Sequence, residues 1–207
     1  MKILTTITIR TRKTMTYEYT DKVIKYINKR LIDLFGKLRS IANFDQLNVL
    51  QAVNDTYEKA DRVIRKAYLR LARNTYRNRK IDEDWIDFVL TAYDPVSKYV
   101  YANEFDRKRA RLIEALISSP TKAKEVDAAM RALSVQARIY AVTVTDKAHL
   151  QELEDNRVIK VQWIAEKDEK TCTVCHKRDG KIYLLKDLPP KPHPNCRCWL
   201  KEVFSGR

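Results

Sequence analysis

The stretch of the chain that decides the fold is a cysteine-rich segment near the carboxyl end. Residues 168–198 read DEKTCTVCHKRDGKIYLLKDLPPKPHPNCRC. All 4 cysteines of the 207-residue chain lie in this segment. Cysteines spread along a small chain favour a disulfide framework, whereas cysteines gathered at short spacings favour a local metal site. The sequence therefore predicts a metal-binding module, with reduced or disulfide-paired cysteines as the alternative.

The spacing of the sulfur and imidazole ligands supports this interpretation. Cys172 and Cys175 are three residues apart, a step at which a tight turn leaves both sulfurs on one side of the backbone. His193 and Cys196 repeat that step, and Cys198 adds another sulfur before a β-rich run. The candidate ligands of a tetrahedral site are Cys172, Cys175, His193, Cys196 and Cys198, with His176 as a sixth. The residues leave open which four bind, and zinc is the expected ion because it accepts this mixture of ligands.

Three runs rich in β-branched and aromatic residues surround these ligands, at 158–165, 181–185 and 199–204. We predict that they form a small β module at 157–207, clipped together by structural zinc. A unit of about fifty residues buries little apolar surface by itself, so a metal ion would serve its folding. Because a site closed by four protein ligands has no position for a substrate, we expect no enzymatic activity.

Upstream of the module the apolar residues recur at helical spacing. One predicted helix starts near Asp21, a longer one runs from Asp45 towards Tyr76, and Asp82 caps a third. Further helices are predicted over 96–117 and from the Ser119-Pro120-Thr121 signal through Ala137, with another amphipathic stretch near 148–153. The chain has only 3 glycines, as expected for long helices. The predicted fold class is α+β, with a mainly α-helical body at 20–156 and the small C-terminal module.

Residues 1–19 differ from both regions. Residues 3–9 read Ile-Leu-Thr-Thr-Ile-Thr-Ile, a run rich in β-branched residues whose period of two is typical of a strand or an extended arm. We predict an extended arm over residues 1–19, with a frayed terminus as an equal alternative.

The net charge favours a polyanionic partner. The 41 lysines and arginines exceed the 27 acidic residues by 14 charges. Many cations fall on one face of the second predicted helix, opposite its apolar stripe. The candidate DNA contacts are Arg62, Arg65, Lys66, Arg70, Arg73, Arg77, Arg79 and Lys80. No recognition helix stands out, and Tyr57, Tyr68 and Tyr76 lie at core spacing, so we expect any contact with double-stranded DNA to be non-specific.

Two functions other than a structural one fit parts of the sequence. The first is a plain non-specific DNA-binding protein. The second is a zinc-supported nuclease, because His193 and Asn195 beside paired cysteines resemble the ββα-metal endonucleases. If His193 binds zinc, no obvious base remains for that chemistry. Asp168, Glu169 and Asp179 are expected to be turn residues and charge partners. No run of apolar residues approaches a membrane span, so we expect no membrane partner.

The ordered set of residues in the module resembles a known family. The residues that carry the resemblance are Trp163, Asp168, Thr171, Cys172, Cys175, Asp179, Gly180 and the run His193-Pro194-Asn195-Cys196-Arg197-Cys198. In order and spacing they resemble the signature of the phage Mu F-like head morphogenesis family, the minor head proteins of tailed phages. The resemblance covers roughly residues 158–203.

The resemblance implies a minor head protein of a tailed phage or prophage, made in the host cytoplasm and carried inside the capsid of the virion. It implies action in head morphogenesis, with DNA packaging or ejection as a further expectation. The implied partners are the portal protein, the major capsid or scaffold protein, and packaged DNA. The family motif falls on the same five cysteine and histidine ligands named above.

Overall fold

The computed structural model describes residues 12–40, 46–76, 81–118 and 121–203. These residues form six α-helices: α1 (Arg12–Ser40), α2 (Gln46–Thr75), α3 (Glu83–Thr91), α4 (Tyr101–Ser118), α5 (Lys122–Asp155) and α6 (Thr173–Arg178). The strands are β1 (Tyr93–Asp94), β2 (Tyr99–Val100), β3 (Lys160–Ile164), β4 (Ile182–Leu184) and β5 (Trp199–Glu202). The predicted fold class, a mainly helical chain with a small C-terminal sheet, is confirmed. Among the described helices, none is both long enough and apolar enough to cross a bilayer.

Four long helices, α1, α2, α4 and α5, bury one apolar core. Their apolar stripes face inward, as the helical period requires. In the centre, the ring of Tyr57 packs edge-on against Phe35 at 5.6 Å and against Phe105 at 5.2 Å. Tyr57 and Tyr68 are fully buried, and Tyr76 is 9% exposed, so the prediction that these tyrosines belong to the core is confirmed.

Helices α1 and α5 run antiparallel along most of their lengths. At one end Arg39 pairs with Asp127, and near the other Thr20 Oγ1 lies 3.1 Å from Thr145 Oγ1. Arg12, the first residue of α1, is eight residues before Thr20. In an antiparallel pair the matching position on α5 is eight residues after Thr145, which is Leu153. The amino end of α1 consequently lies beside the carboxyl end of α5, where the C-terminal module begins.

Helix α1 begins earlier than predicted. The extended arm predicted for 1–19 is wrong for residues 12–19, which are helical. Tyr19 packs against the core and Thr20 is buried against α5, so tertiary contacts continue the helix upstream of Asp21. Residues 1–11 of the predicted arm lie outside the described residues.

Two further boundaries differ from prediction. Residues 93–100 form a β1–β2 hairpin before α4 instead of starting a helix at 96. Its turn is held by Asp94, whose carboxylate accepts from the Val96 amide at 3.0 Å and the Ser97 hydroxyl at 2.7 Å. Helix α5 is a single helix of 34 residues instead of two stretches, because buried polar residues such as Thr145 interrupt its apolar pattern without ending it.

The C-terminal sheet has the strand order β4-β3-β5, and both pairings are antiparallel. The strands lie within the runs from which they were predicted. Val161, Trp163 and Leu200 point to the inner face, which packs on the cysteines and forms a second apolar core. Leu150 and Leu153 of α5 also pack there. A domain division at residue 157 stays a prediction, since one helix supplies side chains to both cores.

Candidate metal centre

The first cysteine pair lies at the start of the short helix α6. Cys172 is the N-cap residue, and its sulfur accepts a hydrogen bond from the Cys175 amide at an N···S distance of 3.4 Å. This geometry turns both side chains towards the same side of the helix start. Backbone N–H groups and the helix dipole favour negative charge at this position, so the local structure suits thiolate ligands.

The second group of ligands comes from the proline-rich loop that leads into β5. Asn195 adopts a left-handed backbone conformation with φ of 62°, which asparagine tolerates better than most residues. The turn at Asn195 separates His193 from Cys196. Cys196 and Cys198 are 1% and 3% exposed, so both enter the second core, as their two-residue spacing allows.

The structure brings all five predicted ligands together in two groups that share Cys175. The possible ligand atoms of Cys172, Cys175 and His193 lie within 4.8 Å of one another, and so do those of Cys175, Cys196 and Cys198. The Cys175 and Cys196 sulfurs are 3.5 Å apart. Two sulfurs bound to one tetrahedral zinc ion are expected at about 3.8 Å, given a zinc–sulfur bond of about 2.3 Å. The Cys175–Cys196 distance is therefore close to that of two sulfurs on one ion, and each group supplies three of the four ligands that such an ion needs.

The hydrogen bonding of His193 provides a separate test of that fit. Nδ1 lies 2.9 Å from the Pro194 carbonyl oxygen, which can only accept, so Nδ1 carries the proton. The lone pair is then on Nε2, a buried atom without a hydrogen-bond partner among the described residues. Metal-bound histidines commonly donate their other ring N–H to a carbonyl in this way. A metal ion would satisfy the buried Nε2 atom.

The thiols differ in acidity because their surroundings differ. Hydrogen bonding from Cys196 lowers the pKa of Cys198 to about 5, despite the opposing effect of burial. Burial raises the pKa of Cys175 to about 12, and hydrogen bonding to Cys198 together with burial raises that of Cys196. Despite the opposing effect of burial, hydrogen bonding from Cys175 and His193 also lowers the pKa of Cys172. Without a cation the cluster thus favours thiolates at Cys172 and Cys198 and disfavours them at Cys175 and Cys196. A divalent ion would favour the thiolate form of the latter two as well, since metal binding displaces thiol protons.

Polar residues hold the ligand-bearing loops, as predicted for the acidic residues of the module. The Asp168 carboxylate accepts from Arg197 Nη2 at 2.6 Å and joins the loop before α6 to the loop before β5. Hydrogen bonding from Arg197 lowers the pKa of Asp168. Asp179 accepts from the Ala165 amide at 2.8 Å, and Gly180 turns the chain with φ of 76°. Asp168 is therefore a charge partner as predicted, whereas Asp179 makes a backbone contact at the turn and forms no ion pair among the described residues.

Sequence reasoning missed two contacts that join the module to α5. Lys191 Nζ lies 2.7 Å from Asp146 Oδ1 and also donates to the Cys196 carbonyl at 3.0 Å. His149 Nε2 lies 3.2 Å from the Leu200 carbonyl oxygen. The three-residue spacing of Asp146 and His149 puts both on one face of α5, the only signal in the sequence that could have revealed this contact surface.

Two groups of candidate residues meet different outcomes. His176 is exposed and belongs to neither ligand group, so the structure does not support it as a sixth ligand.

On α2, Arg62, Lys66 and Arg70 are exposed at successive turns. Arg65 instead forms ion pairs with Asp61 and Asp87, whereas exposed Arg73 donates through Nε to the Ile81 carbonyl. Arg77, Arg79 and Lys80 lie outside the described residues.

Comparison with known proteins gives one match. The family model described as Phage Mu protein F like protein matches residues 102–201, from the start of α4 into β5. The family resemblance inferred from the cysteine and histidine motif is thereby confirmed, and it indicates a phage head-related protein. The match extends into α4 and α5, well upstream of the motif. No curated protein and no solved structure matches the chain.

Proposed function

Because residues 102–201 belong to the Phage Mu protein F like family, we propose that the protein is a minor head protein of a tailed phage or prophage. It is carried inside the capsid at the portal and acts in head morphogenesis. The observation that carries this proposal is the family match over a region that includes all five converging ligands. The portal protein and the major capsid or scaffold protein are its proposed partners.

The proposed role of the metal is structural. Four of the five donors would hold zinc and so cross-link α6 to the loop before β5. Bound zinc would supply a fixed link between these segments. The Pro194 carbonyl would orient the His193 ring, and the Asp168–Arg197 ion pair would hold the two loops together. With every coordination position filled by protein, the site would present no open position to a substrate.

We therefore propose binding, not catalysis, as the mode of action. The nuclease alternative needs a histidine free to activate water. His193 donates through Nδ1 to Pro194 and directs its other nitrogen into the sulfur cluster. A nuclease mechanism and metal binding would therefore both require Nε2 of His193.

Contact with packaged DNA is the second part of the proposal. Arg62, Lys66 and Arg70 offer exposed positive charge along one face of α2. With a net charge of +14, the chain would bind phosphates without reading base sequence. Arg65 would contribute less, because Asp61 and Asp87 already neutralise it.

Cross-linking within purified heads of the parent phage tests the location. Quantitative mass spectrometry should find the protein in few copies relative to the major capsid protein, with lysine cross-links to the portal protein. Absence from mature heads and from their precursors, or cross-links to tail proteins alone, would refute the proposed role.

Binding and cleavage assays on a random DNA duplex test the mode of action. Affinity should fall steeply between about 50 and 200 mM salt, and R62Q/K66Q/R70Q should weaken binding more than a matched triple substitution of exposed lysines on α5 and β5. K124Q/K147Q/K201Q provides that control, because all three lysines are exposed and lie outside α2. Magnesium-dependent cleavage that H193A abolishes and H176A preserves would establish a nuclease and contradict the proposed binding role.

A further inference from the structure

The outer face of the C-terminal sheet exposes apolar side chains. Ile159, just before β3, is 70% exposed, and Ile182 and Leu184 on β4 are 56% and 37% exposed. In the antiparallel register, Leu184 lies opposite Lys160 and Ile182 opposite Gln162. Ile182 and Leu184 alternate with Tyr183, which lies opposite Val161 of the second core. Ile159 lies before the first residue of β3 and is exposed at that end of the sheet. A strand buried on its inner face thus carries a second, uncovered apolar surface.

This surface continues into a groove at the junction of α5 and the sheet. The groove has a volume of about 380 Å³ and is lined by Glu154, Val158, Ile159, Leu184, Leu185 and Lys186. Four of its six lining residues are aliphatic, and one acidic and one basic side chain lie among them. Such a lining suits an apolar segment flanked by charge.

The backbone of β4 is also arranged to accept another strand. The Trp163 amide donates to the Lys181 carbonyl, and the Leu185 amide donates to the Ile159 carbonyl. The backbone polar groups of residues 181 and 185 therefore face β3. In an antiparallel pair, successive residues direct their backbone N–H and C=O groups alternately towards the partner strand and away from it. Ile182 and Leu184 consequently turn their backbone groups to the outer edge. In the described sheet, β4 is an end strand.

The antiparallel packing of α1 and α5 brings the start of α1 to this same region. The amino end of α1 is level with Leu153, one residue before Glu154 of the groove. Residues 1–11 precede that point, and fully extended they would reach about 36 Å. This length exceeds the diameter of about 12 Å of an intervening helix. The segment can therefore reach the groove from either side of α5.

The sequence of residues 3–9 matches what the edge requires. Ile3, Ile7 and Ile9 fall on one side of an extended chain together with Thr5, while Leu4, Thr6 and Thr8 fall on the other. We propose that residues 3–9 of the same chain add to the outer edge of β4 as a fourth strand and place their isoleucine side in the groove. The segment would cover the apolar surface and bond the edge-facing backbone groups, two needs of an exposed edge strand.

Amide hydrogen exchange of the full-length protein tests the proposal. The amides of Ile182 and Leu184 should exchange about tenfold more slowly in the unaltered chain than in I7D, which puts a charge on the groove side. T8D is the matched control: it adds the same charge on the opposite side and should keep the protection. I159D, which alters the groove instead of the segment, should remove protection as I7D does.

Each contrary result would overturn the proposal. Unprotected Ile182 and Leu184 amides in the unaltered chain, or equal exchange in I7D and T8D, would show that the segment does not cover the edge. Protection that appears only at concentrations where sedimentation detects dimers would assign the groove to a second copy and refute pairing within one chain. Unchanged exchange of the Val161 amide in I7D would verify that the sheet itself remains folded.

Discussion

The helical body and the C-terminal module are stabilised in different ways. Among the described residues, 31 buried apolar side chains form the core of the body, including large ones such as Tyr57, Tyr68 and Leu31. The described part of the core under the module has eight buried residues, of which three are cysteines and one, Leu153, comes from α5. The body can fold by removing apolar surface from water. The module has too little such surface and, on the proposed metal role, depends on bonds to an ion.

The difference also shows how the two regions are joined. Leu150 and Leu153 pack into the module, and Lys191 of the module reaches back to Asp146 on α5. Burial raises the pKa of Asp146, although the charge of Lys191 opposes this effect. Helix α5 thus supports the ligand-bearing loops through these contacts. If so, loss of the ion should disorder the loops without unfolding the helix beneath them.

The largest expected effect comes from replacing the ligand that both groups share. We predict that C175S releases the zinc, about one ion per chain, and unfolds the module, since structural zinc contributes on the order of 10 kcal/mol. Elemental analysis measures the metal, and hydrogen exchange measures the order of β3 to β5. V174A, an exposed neighbour on α6, is the control and should change neither.

Retention of helical circular dichroism in C175S would support the difference between the two regions, because the body should stay folded without the module. Unchanged metal content in C175S would contradict the proposed metal role of the module, since a module that keeps its ion without the shared ligand would use another site.

A second substitution tests the body by the opposite logic. Leu31 is fully buried, so L31A should leave a cavity and lower the free energy of unfolding by about 3 kcal/mol. The zinc content of the folded protein should stay the same, because the cavity lies in the other core. I32A provides the control at the next residue, which is 57% exposed and should cost less than about 0.5 kcal/mol. Urea denaturation gives both values, and equal losses would contradict the assigned core.

The smallest expected effect concerns the ion pair between the two regions. K191M should destabilise the junction by about 2 kcal/mol at pH 7, because it leaves the Asp146 carboxylate without its cation. Since the pKa of Asp146 is raised in the folded state, the carboxylate becomes more costly as the pH rises through that pKa. The deficit of K191M should therefore shrink as the pH falls through the raised pKa of Asp146 and the carboxylate takes up a proton.

Urea denaturation of K191M and of K186M, an exposed lysine of the same module, separates this effect from loss of charge alone. K186M should stay near the unaltered protein at every pH. A deficit in K191M that grows at acidic pH would contradict the assignment of its cause to the Asp146 carboxylate.

Local sequence patterns predicted a helix or strand correctly where the apolar period and the capping or turn residues indicated the same element. Asp82 caps α3 as predicted, with its carboxylate accepting from the Trp85 amide at 2.9 Å. The three β-rich runs became β3, β4 and β5. Local patterns failed where distant contacts decided the outcome. Helix α1 extends back to Arg12 because α5 packs along it, and the hairpin before α4 depends on hydrogen bonds that Asp94 makes across its turn.

The same division holds for the candidate site. Residue type and spacing were sufficient to select five candidate ligands that converge in the structure, because sulfur and imidazole chemistry is carried by the side chains themselves. They could not show that His193 presents Nε2, which depends on where the Pro194 carbonyl lies. They also could not show which cations of α2 are available, since Arg65 is paired with Asp87 from another helix.

Local sequence was enough to indicate the helical body, the short strands, the five candidate ligands and the family resemblance, because each depends on residues close together or on their chemical type. The packing of whole elements placed the two groups of candidate ligands around Cys175, brought Asp146 and His149 against the module, and aligned the start of α1 with the carboxyl end of α5. These relations join residues distant along the chain. Their geometry follows from how whole helices pack, which no local pattern encodes.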